Sequence, residues 1–286
     1  MEDVVTLEGV SKTFRGFRLE DVTFSIKKGF ITGFIGPNGS GKTTTIKLIM
    51  DLLHPDAGTV RLFGHSDPRS RQKAKDRIGF VYAEPPFYDE LTVDQTKTVV
   101  ASFYSRWDER LYRHYRNQFE LPGDRKIKAL STGMKMKLSI ALALSHHAEL
   151  ILLDEPTSGL DPIVRREILD VLAELIQDEG KAIFFSTHIT TDLERIADYM
   201  IFIHRGRILY NGEKDRLLEQ YRLVKGPREI LNPETREKLI GIRETGVGFE
   251  ALAPNDALPA LGSRVLAEPP SLEDIMLYTV KGEPHA

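Results

Sequence analysis

The chain has 286 residues, of which 41% are hydrophobic and 28% charged, with a formal net charge of −3. That length and balance support a buried core, in one large domain or a domain with an appendage, and exclude a wholly disordered chain. The near-neutral charge gives no global pull towards nucleic acid, and the absence of cysteine excludes disulfides and thiolate metal sites.

The opening Met1-Glu2-Asp3-Val4-Val5 is acidic and lacks the basic segment and apolar run of a signal peptide. Residues 4–10 and 19–26 alternate apolar and polar side chains and read as strands, the second closed by Lys28-Gly29. Phe30 to Ile35 is a short apolar run that enters the tight turn Gly36-Pro37-Asn38-Gly39, as a buried strand does. A helix is expected from about Gly41 through Leu53, ended by His54-Pro55-Asp56. Val60 to Phe63 and Ile78 to Tyr82 are further strands.

Strand signals vanish between about 84 and 147, where Thr92 and Ser131 are suited to cap helices. The first helix would bury a face of Val99, Val100, Phe103, Tyr104 and Trp107, the second Leu138, Ile140, Ala141 and Leu144. Leu150 to Leu153 resumes the α/β core, followed by a helix opened by Asp161-Pro162, a strand at Ala182 to Phe185 and a helix from about Thr190. Arg205-Gly206 between Tyr199 to His204 and Arg207 to Asn211 is a hairpin signal. Beyond a helix near 215–222 the chain is punctuated by Gly and Pro, and reads as a small appended unit. His285, in the terminal Pro284-His285-Ala286, is expected to be disordered. No uncharged apolar stretch reaches the roughly 18 residues needed to span a bilayer, so any membrane role must come through a partner.

Gly36-Pro37-Asn38-Gly39-Ser40-Gly41-Lys42-Thr43 matches the phosphate-loop pattern G-x-x-x-x-G-K-[ST] in its strand-to-helix context. Glycines let successive backbone N–H groups curl round a phosphate, and the following helix, which carries Thr44, aims its positive end at the anion. Lys42 would reach the β- and γ-phosphates, and the Thr43 hydroxyl would hold Mg²⁺. Leu150 to Leu153 ends in Asp154-Glu155-Pro156, at the C-terminal end of a strand buried on both faces, where ligands of parallel sheets bind. A solvated strand end has the same look, but beside a phosphate loop the functional reading prevails. Asp154 would orient Mg²⁺ and Glu155 would act as general base on a water.

The order of these motifs resembles the ABC (ATP-binding cassette) ATPase family over residues 1 to about 214. Leu130-Ser131-Thr132-Gly133-Met134 looks like the family signature, usually Leu-Ser-Gly-Gly-Gln. Ser158-Gly159-Leu160-Asp161 resembles the D-loop, and Phe185-Ser186-Thr187-His188 the switch with its histidine. Phe14 stands where the family places an adenine-stacking aromatic, although on its own it reads as core.

The resemblance implies an α/β P-loop NTPase with a RecA-like parallel-sheet core, an antiparallel β-subdomain, an inserted helical subdomain and a small C-terminal appendage at 215–286. It implies ATP and Mg²⁺ as cofactors. A second cassette, more often identical, would place its signature Ser131 and Gly133, with Asp161 nearby, against the ATP of the first. It further implies a membrane-spanning permease subunit as partner and a peripheral, cytoplasmic place on the inner face of the cell membrane. The single cassette with a short extension is most similar to bacterial exporters. A soluble ABC ATPase acting on the ribosome or DNA is the alternative, and a non-catalytic regulatory module is opposed by Lys42, Asp154, Glu155 and His188. Two positions depart from the pattern. Thr132 and Met134 replace Gly and Gln in the signature, and Ala83-Glu84 stands where a glutamine senses Mg²⁺ and water, which makes Glu84 the candidate substitute.

Overall fold

A computed structural model describes residues 2–282, so His285 lies outside the described residues. The chain opens with β1 (Asp3–Phe14) and β2 (Phe17–Lys27), then β3 (Ile31–Ile35), which runs into the phosphate loop and α1 (Lys42–Ile49). Next come β4 (Ala57–Leu62), α2 (Pro68–Ala74) and β5 (Ile78–Val81). Helices α3 (Val93–Ala101), α4 (Glu109–Gln118) and α5 (Thr132–Leu144) precede β6 (Leu150–Asp154) and α6 (Pro162–Leu175). They are followed by β7 (Ala182–Thr187), α7 (Thr190–Ile196), β8 (Tyr199–His204) and β9 (Arg207–Glu213). The last stretch holds α8 (Lys214–Gln220), β10 (Tyr221–Gly226), α9 (Pro233–Glu237), β11 (Ile240–Glu244) and β12 (Phe249–Pro254). It closes with α10 (Leu258–Leu261), β13 (Leu266–Glu268) and α11 (Leu272–Gly282).

Three sheets result. The central one runs β5-β6-β7-β3-β8-β9, parallel except for the β8–β9 hairpin. A three-stranded antiparallel sheet, β2-β1-β4, covers one of its faces, and an antiparallel sheet β11-β12-β10-β13 forms near the C-terminus. β6 shows why the central sheet has two cores. Leu150 and Leu152 point into one core with Phe24, Phe34 and Ile46, while Ile151 and Leu153 point into the other with Leu138, Ile168 and Leu172. Successive side chains of a strand face opposite sides, so a strand wedged between two layers must be apolar throughout. Phe34 and Phe184, 5.1 Å apart, and Phe24, 5.9 Å from each, tie the small sheet to the central one. Each aromatic pair adds roughly 0.5–1.5 kcal/mol beyond the burial itself.

Several local expectations are corrected. α1 stops at Ile49 rather than near Leu53, because Asp51 takes a left-handed φ of 56°. Arg71 then caps the helix, donating to the carbonyls of Leu48 (3.2 Å) and Ile49 (3.3 Å) while pairing with Asp51 at 2.7 Å. α3 carries the expected Thr92 cap, with Gln95 answering it, but ends at Ala101. Val99 and Phe103 are exposed, at 44% and 78%, rather than part of a buried face. α2 and α4 had no clear signal. α4 buries only Tyr112, so it lacks an apolar stripe. Among the described residues no helix is long and apolar enough to cross a membrane.

Candidate functional site: the ATP cleft

The site lies where β3, β6 and β7 end, at the C-terminal edge of the parallel strands. The loop after β3 folds back tightly. A Cβ on Gly36 would sit 2.2 Å from the Ile203 carbonyl oxygen and 2.6 Å from Ser40 Oγ, so only glycine fits there. Gly39 and Gly41 adopt left-handed φ of 78° and 115°, and the Ser40 N–H donates to Pro37 O at 3.1 Å. Asn38 is exposed on the rim, and Ser40 is buried beneath it. The chain then enters α1 with Gly41 as its N-cap, so the free N–H groups of the first turn face the cleft. Lys42 is buried to 6% exposure and bends over the loop, donating to Gly36 O at 2.7 Å.

The acids stand opposite. Thr43 Oγ1 donates to Asp154 Oδ2 at 3.1 Å. The other Asp154 oxygen is buried without a hydrogen bond of normal geometry, although the Ser186 hydroxyl stands near enough to favour the carboxylate. Burial pushes the Asp154 carboxyl above the ordinary aspartate range. The Thr43 and Ser186 hydroxyls pull it down, the Glu155 charge pushes it up, and Lys42 pulls it down. An unpartnered carboxylate oxygen beside a threonine hydroxyl is a donor set that suits a hard divalent cation. Among the described residues there is no cluster of three or more His, Cys, Asp or Glu that could hold a metal ion.

Glu155 follows in a left-handed conformation, φ 52°. One carboxylate oxygen pairs with Lys42 Nζ at 3.3 Å, and the other meets His188 Nδ1 at 2.7 Å and the His188 N–H at 3.3 Å. Loop, acid and histidine line one cleft of about 730 Å³ together with Thr43 and Thr44.

A family model described as "ABC transporter" matches residues 19–158. The ABC transporter ATP-binding protein YtrB of Bacillus subtilis (strain 168) is 32% identical over 88% of this chain and 87% of its own length. The chain belongs to the ABC transporter ATP-binding family. The Nod factor export ATP-binding protein I of Burkholderia orbicola (strain AU 1054) is 34% identical, with 90% of each chain covered. Among solved structures, the dimeric post-hydrolysis state of the ATP-binding cassette MJ0796, bound to ADP and Pi, superposes with a TM-score of 0.65. It is 26% identical and covers 73% of this chain and 98% of that one. The protein is an ABC ATPase with the fold its motifs imply.

Not every residue singled out in the sequence of this cassette meets the cleft. Phe14 is 38% exposed and stacks on Phe17, with ring centroids 6.4 Å apart. Phe17, not Phe14, lines the cleft beside Gly16. Ser131 caps α5, accepting from the Met134 N–H at 3.2 Å, and Gly133 packs on Val164. Asp161 caps α6, accepting from the N–H groups of Ile163 and Val164 at 3.0 and 3.1 Å. None of these three lines the cleft of its own chain, whereas their neighbours Thr132 and Ser158 do. Both Ala83 and Glu84 line it, Glu84 with an exposed side chain. Phe17 escaped sequence reading because it also continues the apolar pattern of β2.

Proposed function

We propose that this cassette hydrolyses ATP at the interface of a pair of cassettes and thereby drives a separate membrane-spanning permease as an exporter. The observation that carries the reading is the contact of Glu155 with both Lys42 and His188 at the end of β6. Lys42 and the loop of Gly36 to Thr44, through the N–H groups of its residues other than Pro37, bind the triphosphate. Glu155 accepts the proton of the attacking water, and His188 fixes which oxygen of Glu155 faces that water. Thr43 and Asp154 would hold Mg²⁺, which when bound neutralises phosphate charge, and Glu84 stands in for the missing glutamine. Phe17, backed by Phe14, supplies the stacking surface for the base.

Ser131 and Gly133 do not reach the cleft of their own chain, which supports their use on the ATP of a second, identical copy. Asp161 accepts from the N–H of Val164, the residue beside Gly133, and would serve the same ATP. Two ATP molecules would then join two donor-rich surfaces, and hydrolysis would release them. Residues 1–214 act as the ATPase unit, about 84–147 as its helical subdomain and 215–286 as an accessory region. A groove of about 200 Å³ lined by Phe80, Tyr82, Pro86, Phe87, Val100 and Tyr104, with Tyr88 74% exposed alongside and Leu91 near by, is the surface offered to the permease. Export follows the named role of the Nod factor relative, and the cassette would work on the cytoplasmic face of the membrane.

Two experiments test this. Gel filtration of Glu155→Gln with ATP should show a dimer; a monomer at every ATP concentration refutes interface hydrolysis for the isolated subunit. Purification from detergent-extracted membranes should bring down an integral membrane protein. Recovery with ribosomes or DNA instead would favour the soluble alternative.

A further inference from the structure

Asp192 takes no part in the chemistry above, yet it joins the three segments that carry it. It is 1% exposed, in the first turn of α7, four residues beyond His188. The buried Thr157 hydroxyl, two residues beyond Glu155, donates to Asp192 Oδ2 at 2.6 Å. Arg165, in α6 four residues beyond Asp161, donates from Nε to Asp192 Oδ1 at 2.5 Å and from its terminal nitrogen to Thr191 Oγ1 at 2.6 Å. A buried carboxylate is costly unless fully paired, and an apolar residue of similar size often serves stability as well. What the charge adds here is geometry.

That geometry bears on Glu155. Its left-handed φ of 52° is unfavourable for a residue with a side chain and persists only where the surroundings over-determine it. One end of the turn is held by the Glu155 N–H on Ser186 O at 2.9 Å. The other end is held by Thr157 on Asp192. The Glu155–His188 contact at 2.7 Å lies between these ties, on the same two segments.

We infer that Asp192 is a positioning residue for ATP hydrolysis, locking Thr157 and Arg165 so that Glu155 and His188 keep their mutual geometry. The inference rests on Glu155 acting as general base. Thr157→Val keeps the shape and removes only the hydroxyl. In the full-length chain it should lower kcat about tenfold or more, as expected for a sub-ångström misplacement of a reacting group, with ATP affinity within twofold of wild type. Thr157→Ser, which keeps the hydroxyl, should restore kcat to within about twofold of wild type, and Asp192→Asn should behave as Thr157→Val does. In single-turnover measurements on Glu155→Gln, adding Thr157→Val should change nothing further, because the effect passes through Glu155.

The inference is overturned by wild-type kcat in Thr157→Val and Asp192→Asn, by equal losses of kcat and ATP affinity, or by a loss that persists undiminished in Glu155→Gln. A slow Glu155→Gln with a fast Thr157→Val sinks this inference alone. A fast Glu155→Gln with a slow Thr157→Val sinks the general-base assignment and the route of action with it.

Discussion

Replacing Glu155 by Gln separates two roles that its position combines. The side chain keeps its shape, so the contact with His188 at 2.7 Å can survive as a hydrogen bond, but the group no longer accepts a proton. General-base catalysis contributes about 10²–10⁴-fold. The loss of transition-state stabilisation is then about 3–5 kcal/mol at 1.36 kcal/mol per tenfold. The substitution also frees Lys42. Glu155 Oε1 lies 3.3 Å from Lys42 Nζ, with both side chains largely buried. At an effective dielectric constant near 20 the gross attraction is about 5 kcal/mol, most of it offset by desolvation. With ATP bound as proposed, Glu155 would instead face phosphate charge. Glu155→Gln should therefore bind ATP more tightly, by about tenfold, while turning it over at least a hundredfold more slowly. Steady-state ATPase assays and titration calorimetry with ATP measure the two effects separately. A kcat reduced less than tenfold, or weaker ATP binding, would refute this account of the Lys42–Glu155–His188 cluster.

Gly36→Ala should abolish ATP binding in calorimetry, since its Cβ would collide with the Ile203 carbonyl and Ser40 within the loop itself; unchanged ATP affinity would refute the tight-loop reading. Phe17→Ala should raise the KM for ATP several-fold more than Phe14→Ala, because loss of one base–aromatic stack costs about 1–3 kcal/mol and Phe17 is the ring that lines the cleft. Buried His146 stacks on Tyr104, 3.7 Å between ring centroids, and contacts Ile78 O at 3.1 Å; burial holds its pKa below the ordinary histidine value. The unfolded chain therefore takes up the proton first, so this site contributes stability above about pH 6.5 that is lost on acidification. Urea unfolding at pH 7.5 and 5.5 should show a smaller acid loss for His146→Gln than for wild type, and an equal loss would refute the assignment.

The residues that line the candidate site were legible where they are local in sequence. Gly36 to Thr43 carries its loop, its anion site and its lysine in eight successive residues, and Asp154-Glu155 ends a strand whose apolar run marks it as buried. The fold class followed from the same alternation of apolar strands and helices. Contacts between distant segments were not legible. Thr157, Arg165 and Asp192 meet only because α6 and α7 pack together, and each alone reads as an ordinary polar residue. The strands β10 to β13 were hidden by the Gly and Pro residues in or beside them, and α1 ends short of Leu53 because Arg71, in the next helix, supplies its cap.

The C-terminal helix α11 packs against α7, and the Glu194 carboxylate of α7 accepts its Leu272 N–H at 2.7 Å. Leu252, Leu272, Ile275 and Tyr278 share one apolar core with Phe185, Leu193 and Ile196. A chain cut at residue 214 would retain every residue that lines the cleft yet strip α11 from α7. One apolar core thus spans both stretches, and they should melt in one cooperative transition rather than as separable modules.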